Sequence, residues 1–117
     1  MRALALAALL GGALAAPAAA ASTAMDATQT VGPETCARCH DREYEVWQGT
    51  KHAKLFTTEP LHLRPRAQEI GKKLGVRLIK SDSLCLNCHF TPKVLSGRVI
   101  ARAGVSCESC HGAAQGW

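Results

Sequence analysis

The sequence predicts a small, mainly α-helical domain with extensive coil and little or no sheet, wrapped around groups that its own side chains do not supply. Three observations lead there. The pattern Cys-x-x-Cys-His occurs at Cys36–His40, Cys85–His89 and Cys107–His111, and these three copies use all six cysteines. Aromatic residues make up only 4% of the chain, so side chains alone give a thin interior, and a chain of this size is marginal as an ordinary core builder. Between the motifs, runs of helix formers are punctuated by Pro and Gly.

Cys-x-x-Cys-His is the attachment signature of c-type haem. Two intervening residues place both thiols on one turn of helix, where they reach the two vinyl groups along one haem edge. The following His then turns its imidazole under the ring as an axial iron ligand. A disulfide framework needs no His after each second Cys. A zinc ribbon needs Cys pairs in twos, and a thioredoxin-like dithiol sits in a βαβ setting that this sequence lacks. The expectation is three covalently attached haems, held by Cys36, Cys39, Cys85, Cys88, Cys107 and Cys110 and ligated by His40, His89 and His111. The fold class becomes a haem-packed multihaem cytochrome c domain.

Met1–Ala21 reads as a secretory signal: Arg2 gives a positive start, Ala3–Ala16 an apolar run, and Ala19–Ala21 small residues for cleavage. The run is shorter than the about 20 apolar residues of a spanning helix and is interrupted by Gly11-Gly12 and Pro17. The mature chain is expected to be residues 22–117, one small domain, exported to a periplasm or beyond, with no membrane span. Ser22–Pro33 reads as an extended or mobile leading segment. After the first motif, Asp41–Phe56 reads as a helix, weakened at Gly49-Thr50. Thr57–Pro65 is a connector. Pro65 at a first-turn position and Gly75 past the end bracket a second helix. Val76–Lys80 is a short strand or a covered loop. Ser81-Asp82-Ser83 caps the helix of the second motif, and Pro92 ends it. Arg98–Ala103 is a short apolar stretch of open type, and Ser106 caps the third motif. The sum is helix plus coil.

The formal charge of +5 does not make a nucleic-acid binder. Loss of Arg2 leaves +4, and each ferric haem with ionised propionates adds about −1, which brings the total to roughly +1 or below. The cations are scattered, with only Arg64/Arg66 and Lys72-Lys73 close together. They read as propionate partners and solvated faces rather than a DNA-binding stripe.

Counting ligands is more informative. Three haems have six axial positions; His40, His89 and His111 take one each, and only His52 and His62 remain. A continuous helix would put His52 roughly 18 Å from His40 at 1.5 Å per residue, so His52 must serve a haem bound further along the chain. His62, between prolines, is the second distal candidate. Met25 is a further one, and it would raise its haem's potential. At least one iron is then five-coordinate, water-bound, or completed by another subunit, and a head-to-tail contact of that kind builds a filament.

Cys36–His40 followed by Tyr44, Trp47 and Lys51-His52-Ala53, and later Gly104–Gly112, resemble the multihaem cytochromes related to cytochrome c554 and its tetra- and octahaem relatives. The resemblance covers most of residues 32–112. It implies closely stacked bis-histidine haems that pass electrons, the later His serving a different haem, and it allows a five-coordinate haem. The chain runs five residues past Gly112, and the fourth motif and later histidines of a c554-like protein are not within it. The expected function is electron transfer between a redox donor and acceptor protein, at low potentials where both axial ligands are imidazoles, with no catalytic residue assigned. The alternatives are an enzyme reducing a small nitrogen oxide or peroxide at an open iron, and a haem-bearing subunit of a homo-oligomer or larger assembly.

Overall fold

The computed structural model describes residues 25–117. The export signal read at Met1–Ala21 lies outside the described residues. The elements run α1 (Pro33–Cys36), α2 (Asp41–Gln48), α3 (Lys51–Lys54), a 3-10 turn (Leu61–Leu63), α4 (Pro65–Lys73), α5 (Ser83–His89), β1 (Thr91–Leu95), β2 (Arg98–Ala103) and α6 (Cys107–His111). Helix and coil dominate, and the two strands are the only sheet among the described residues. No described helix is long and apolar enough to cross a membrane.

Local chemistry sets the helix ends. Pro33 and Pro65 stand at the first positions of α1 and α4, where a missing N–H costs nothing. Asp41 and Glu43 lie in the first turn of α2, favourably placed against its positive end. The expected Asp41–Phe56 helix is two helices. It breaks at Gly49, and Thr50 restarts it by accepting the Ala53 N–H on its hydroxyl at 3.3 Å. The roughly 18 Å spacing of His40 from His52 assumed an unbroken axis and does not carry over. Asp82 caps α5 by accepting the Leu84 N–H at 3.0 Å. Ser106 and Ser109 close a capping box on α6.

The mainly helical class with little sheet holds, and three finer readings need correction. Helix plus coil omits an antiparallel hairpin in which Lys93 faces Ile100, Val94 faces Val99 and Leu95 faces Arg98. Ser96 (φ 50°) and Gly97 (φ 73°) form its two-residue loop, and positive φ at both positions matches the right-handed twist of paired strands. Pro92, expected to end a helical turn, sits at the register irregularity beside Thr91, where the ladder makes no use of a proline N–H. The leading segment is also docked rather than loose. Ala27 O accepts the Val94 N–H at 3.1 Å, Gln29 O accepts the Gln115 N–H at 3.0 Å, and Thr30 and Pro33 are buried. Val76–Lys80 is a loop rather than a strand, with Val76 and Ile79 buried, Arg77 and Leu78 exposed, and Lys80 O accepting the Ala101 N–H at 2.7 Å.

The protein core is small. Val76, Ile79, Leu86, Phe90 and Ala101 are buried together, with Phe56, Leu61, Ala67 and Cys85 packed on them. Phe56 meets Phe90 edge to face at 6.4 Å, and Lys80 Nζ lies 4.4 Å from the Phe56 ring centre. Val46, Leu63, Ile70, Leu74, Leu78 and Leu84 stay exposed.

Candidate functional site

Each motif is held by helical backbone. In the first, Cys36 ends α1 and His40 is the N-cap residue just before α2, with His40 N–H bonded to Cys36 O at 2.9 Å. In the second and third, the whole pattern lies inside α5 and α6. Cysteines three apart on a helical turn share one face. All six thiols are free; Cys36, Cys85 and Cys107 are half-buried, while Cys39, Cys88 and Cys110 are exposed. His40, His89 and His111 are exposed. Burial pushes the Cys36 thiol up, reinforced by the Cys107 thiol beside it and by the Glu108 carboxylate. Burial likewise raises Cys85, with Asp82 adding to it.

The first and third motifs are thus neighbours, with α1 packed on α6 and Cys36 next to Cys107. The chain between them returns by a second route. Trp47 Nε1 donates to Val105 O at 2.8 Å, Ala53 is buried, and Gly104 lies so close to α3 that a Cβ there would strike the His52 carbonyl oxygen. His52 therefore sits beside the run into Cys107, with its side chain exposed.

The second motif stands apart. Cys85 and His89 line a cavity of about 280 Å³ walled by Leu61, Ala67, Ile70 and Leu74 and rimmed by Arg64 and Arg66. Both arginines already pair with exposed carboxylates, Arg64 with Glu59 at 2.7 Å and Arg66 with Glu69 at 3.2 Å. Surface pairs of that kind are weak, so these cations stay open to a stronger anionic partner. His62 does not share this cavity. It lines a larger one of about 940 Å³ across Gly71 and Ile79, and its Nδ1 is buried with no hydrogen-bond partner. Met25 Sδ accepts a weak hydrogen bond from Thr30 Oγ1 at 3.6 Å.

These features fit a large, flat, apolar group with anionic edges. The six cysteine thiols are unpaired, the three motif imidazoles are exposed, and Ile70 and Leu74 in the cavity of Cys85 and His89, with Leu84 next to Cys85, are uncovered. Exposed apolar surface on this scale in a small protein marks a binding face.

Sequence reasoning missed two residues at the third motif. Thr91, fully buried, links Gly104 O (2.9 Å), Ser106 Oγ (2.7 Å) and Ser109 Oγ (2.9 Å) through its hydroxyl. Glu108, between the cysteines and only 2% exposed, accepts backbone N–H bonds from Val31 (2.9 Å), Gly32 (2.9 Å) and Ala114 (3.0 Å). An acid at a motif's variable position was the one available signal for Glu108, and it reads equally well as a solvated charge.

The sequence pattern of the family described as "Cytochrome c554 and c-prime" matches residues 35–112. Cytochrome c-554 of Nitrosomonas europaea is 28% identical over 87 residues, which span 69% of this chain and 37% of that relative. No solved structure matches. The family match covers all three motifs and every element from α2 to α6, and the chain belongs to the cytochrome c554 and c-prime family.

Proposed function

We propose that this chain is an exported electron carrier holding three c-type haems, one at each Cys-x-x-Cys-His, and passing electrons between a donor and an acceptor protein. The coarser statement, a c-type cytochrome with covalently held haem, follows from the family. The observation that carries the finer one is that all three motifs stand on helical turns with every thiol free. Haem supplies the one-electron chemistry; the chain supplies anchoring, ligands, cover and charge.

Cys36/Cys39, Cys85/Cys88 and Cys107/Cys110 would hold the three groups, and His40, His89 and His111 would each offer an imidazole to the iron beside them. The neighbouring first and third attachment turns support close packing of two of the groups, which short electron steps need. His52, beside the third motif, and His62 are the proposed distal ligands. Imidazole on both sides keeps potentials low. Arg64 and Arg66, at the rim of the His89 cavity, are placed for propionates.

Five histidines for six axial positions, with the Met25 sulfur engaged by Thr30 Oγ1, leave one iron whose last ligand is solvent or comes from outside these residues, a neighbouring subunit included. Carbon monoxide added to the reduced, haem-loaded protein in dilute solution tests this. The expected result is binding at one haem per chain; binding at two or three would remove His52 or His62 from the ligand set. A redox titration with all three couples strongly positive would contradict bis-histidine ligation.

A further inference from the structure

We infer that Glu108 is a fixed negative counter-charge that holds down the reduction potential of haem carried at the first and third motifs. The inference rests on the preceding reading that haem occupies those motifs. The position after the first cysteine is Ala37 in the first motif and Leu86 in the second, and Leu86 is a buried apolar core residue. A residue needed there only to fill space is therefore apolar. In the third motif the same position carries a carboxylate that is 2% exposed.

That carboxylate meets only donors. Oε1 accepts from Val31 and Ala114, and Oε2 from Gly32, an arrangement complementary to the acceptor-only ion. No Lys, Arg or His pairs with it among the described residues. A buried charge without a counter-ion is costly, and three backbone dipoles stabilise it without cancelling its field. Ferric iron in a porphyrin core carries one net positive charge, and the flanking Cys107 and Cys110 would fix such a centre beside Glu108. Glu108 is bonded to the N–H groups of Val31 and Gly32, which lead directly into α1 and Cys36 at its end, and α1 packs on α6, so the charge also lies near the first motif. In a weakly screened site the anion favours iron(III) over iron(II). Reduction adds one electron, supplied by a mediator or the donor protein.

Glu108→Gln in the haem-loaded full chain removes the charge at nearly constant shape. Haem content is measured first, so that a chain without haem refutes the carrier reading and not this one. Potentiometric titration is then expected to show at least one couple whose Fe(II)/Fe(III) ratio at fixed applied potential rises tenfold or more, equivalent to about 59 mV for one electron. Glu108→Asp, which keeps the charge, is expected to restore the wild-type couples. Unmoved couples in haem-loaded Glu108→Gln overturn the inference even if its melting temperature falls, because that is what a purely structural clamp produces. If the Gln variant fails to assemble, the wild type decides. Glu108 is the one buried glutamate among six, so in protein labelled with carbon-13 glutamate the redox difference infrared spectrum should contain an ionised carboxylate band that shifts on reduction. No redox-linked glutamate band, or a protonated one, would overturn the inference.

Discussion

At Trp47 a single indole N–H ties α2, the helix that follows the first motif, to the run into the third through its bond to Val105 O. Replacing Trp47 by Phe keeps a ring and leaves that half-buried carbonyl without its partner. The expected loss is about 1–3 kcal/mol, read as a lower denaturation midpoint, with haem still attached because no anchoring residue changes. His52 and His62 separate by environment. His52 is exposed on a helix whose backbone is pinned by Gly104, and His62 is half-buried in a different cavity. If each completes a different iron, His52→Ala and His62→Ala each add one carbon monoxide site per chain, and the double variant adds two. The three Cys-x-x-Cys-His turns were legible as motifs because their spacing is fixed in the sequence itself. Glu108 and Thr91 were not, because their roles depend on which distant backbone groups the fold brings to them.

The packing of α3 on Gly104 shows at element scale how the helical arm is registered to the hairpin's exit. Gly104→Ala places a methyl on the His52 carbonyl, so the arm must shift; such overpacking typically costs about 1–3 kcal/mol. The expected outcome is a lower melting temperature, with changed visible spectra if His52 is a ligand. Gly97 is a milder case: it is exposed with φ 73°, and Gly97→Ala should cost about 1–2 kcal/mol through left-handed backbone strain alone, leaving the haem spectrum unchanged. The helix starts and caps at Pro65, Asp82 and Ser106 were readable because they rest on local geometry. The hairpin was not, since Pro92 is a breaker in a continuous ladder and acceptable only at the irregularity that pairing with β2 creates. Thr50 was likewise hidden inside a run of helix formers until its hydroxyl was seen capping α3.

For the whole molecule, the buried cluster is five residues beside a larger set of exposed apolar side chains. A cluster of that size contributes little against the conformational entropy of the chain, and covering the exposed set with haem supplies what is missing. Chain with its cysteines replaced by serine, and so unable to attach haem, is expected to give a far-ultraviolet dichroism spectrum with little helix and no cooperative thermal transition. A cooperative transition equal to that of the loaded protein would show that the polypeptide folds without its cofactors. The measurement that bears most directly on the account is the intact mass of the purified protein, paired with a pyridine haemochrome assay. Three thioether-bound haems per chain is the predicted result, falling to two when both cysteines of any one motif are changed to serine. A colourless protein with six free thiols and the bare polypeptide mass would contradict it.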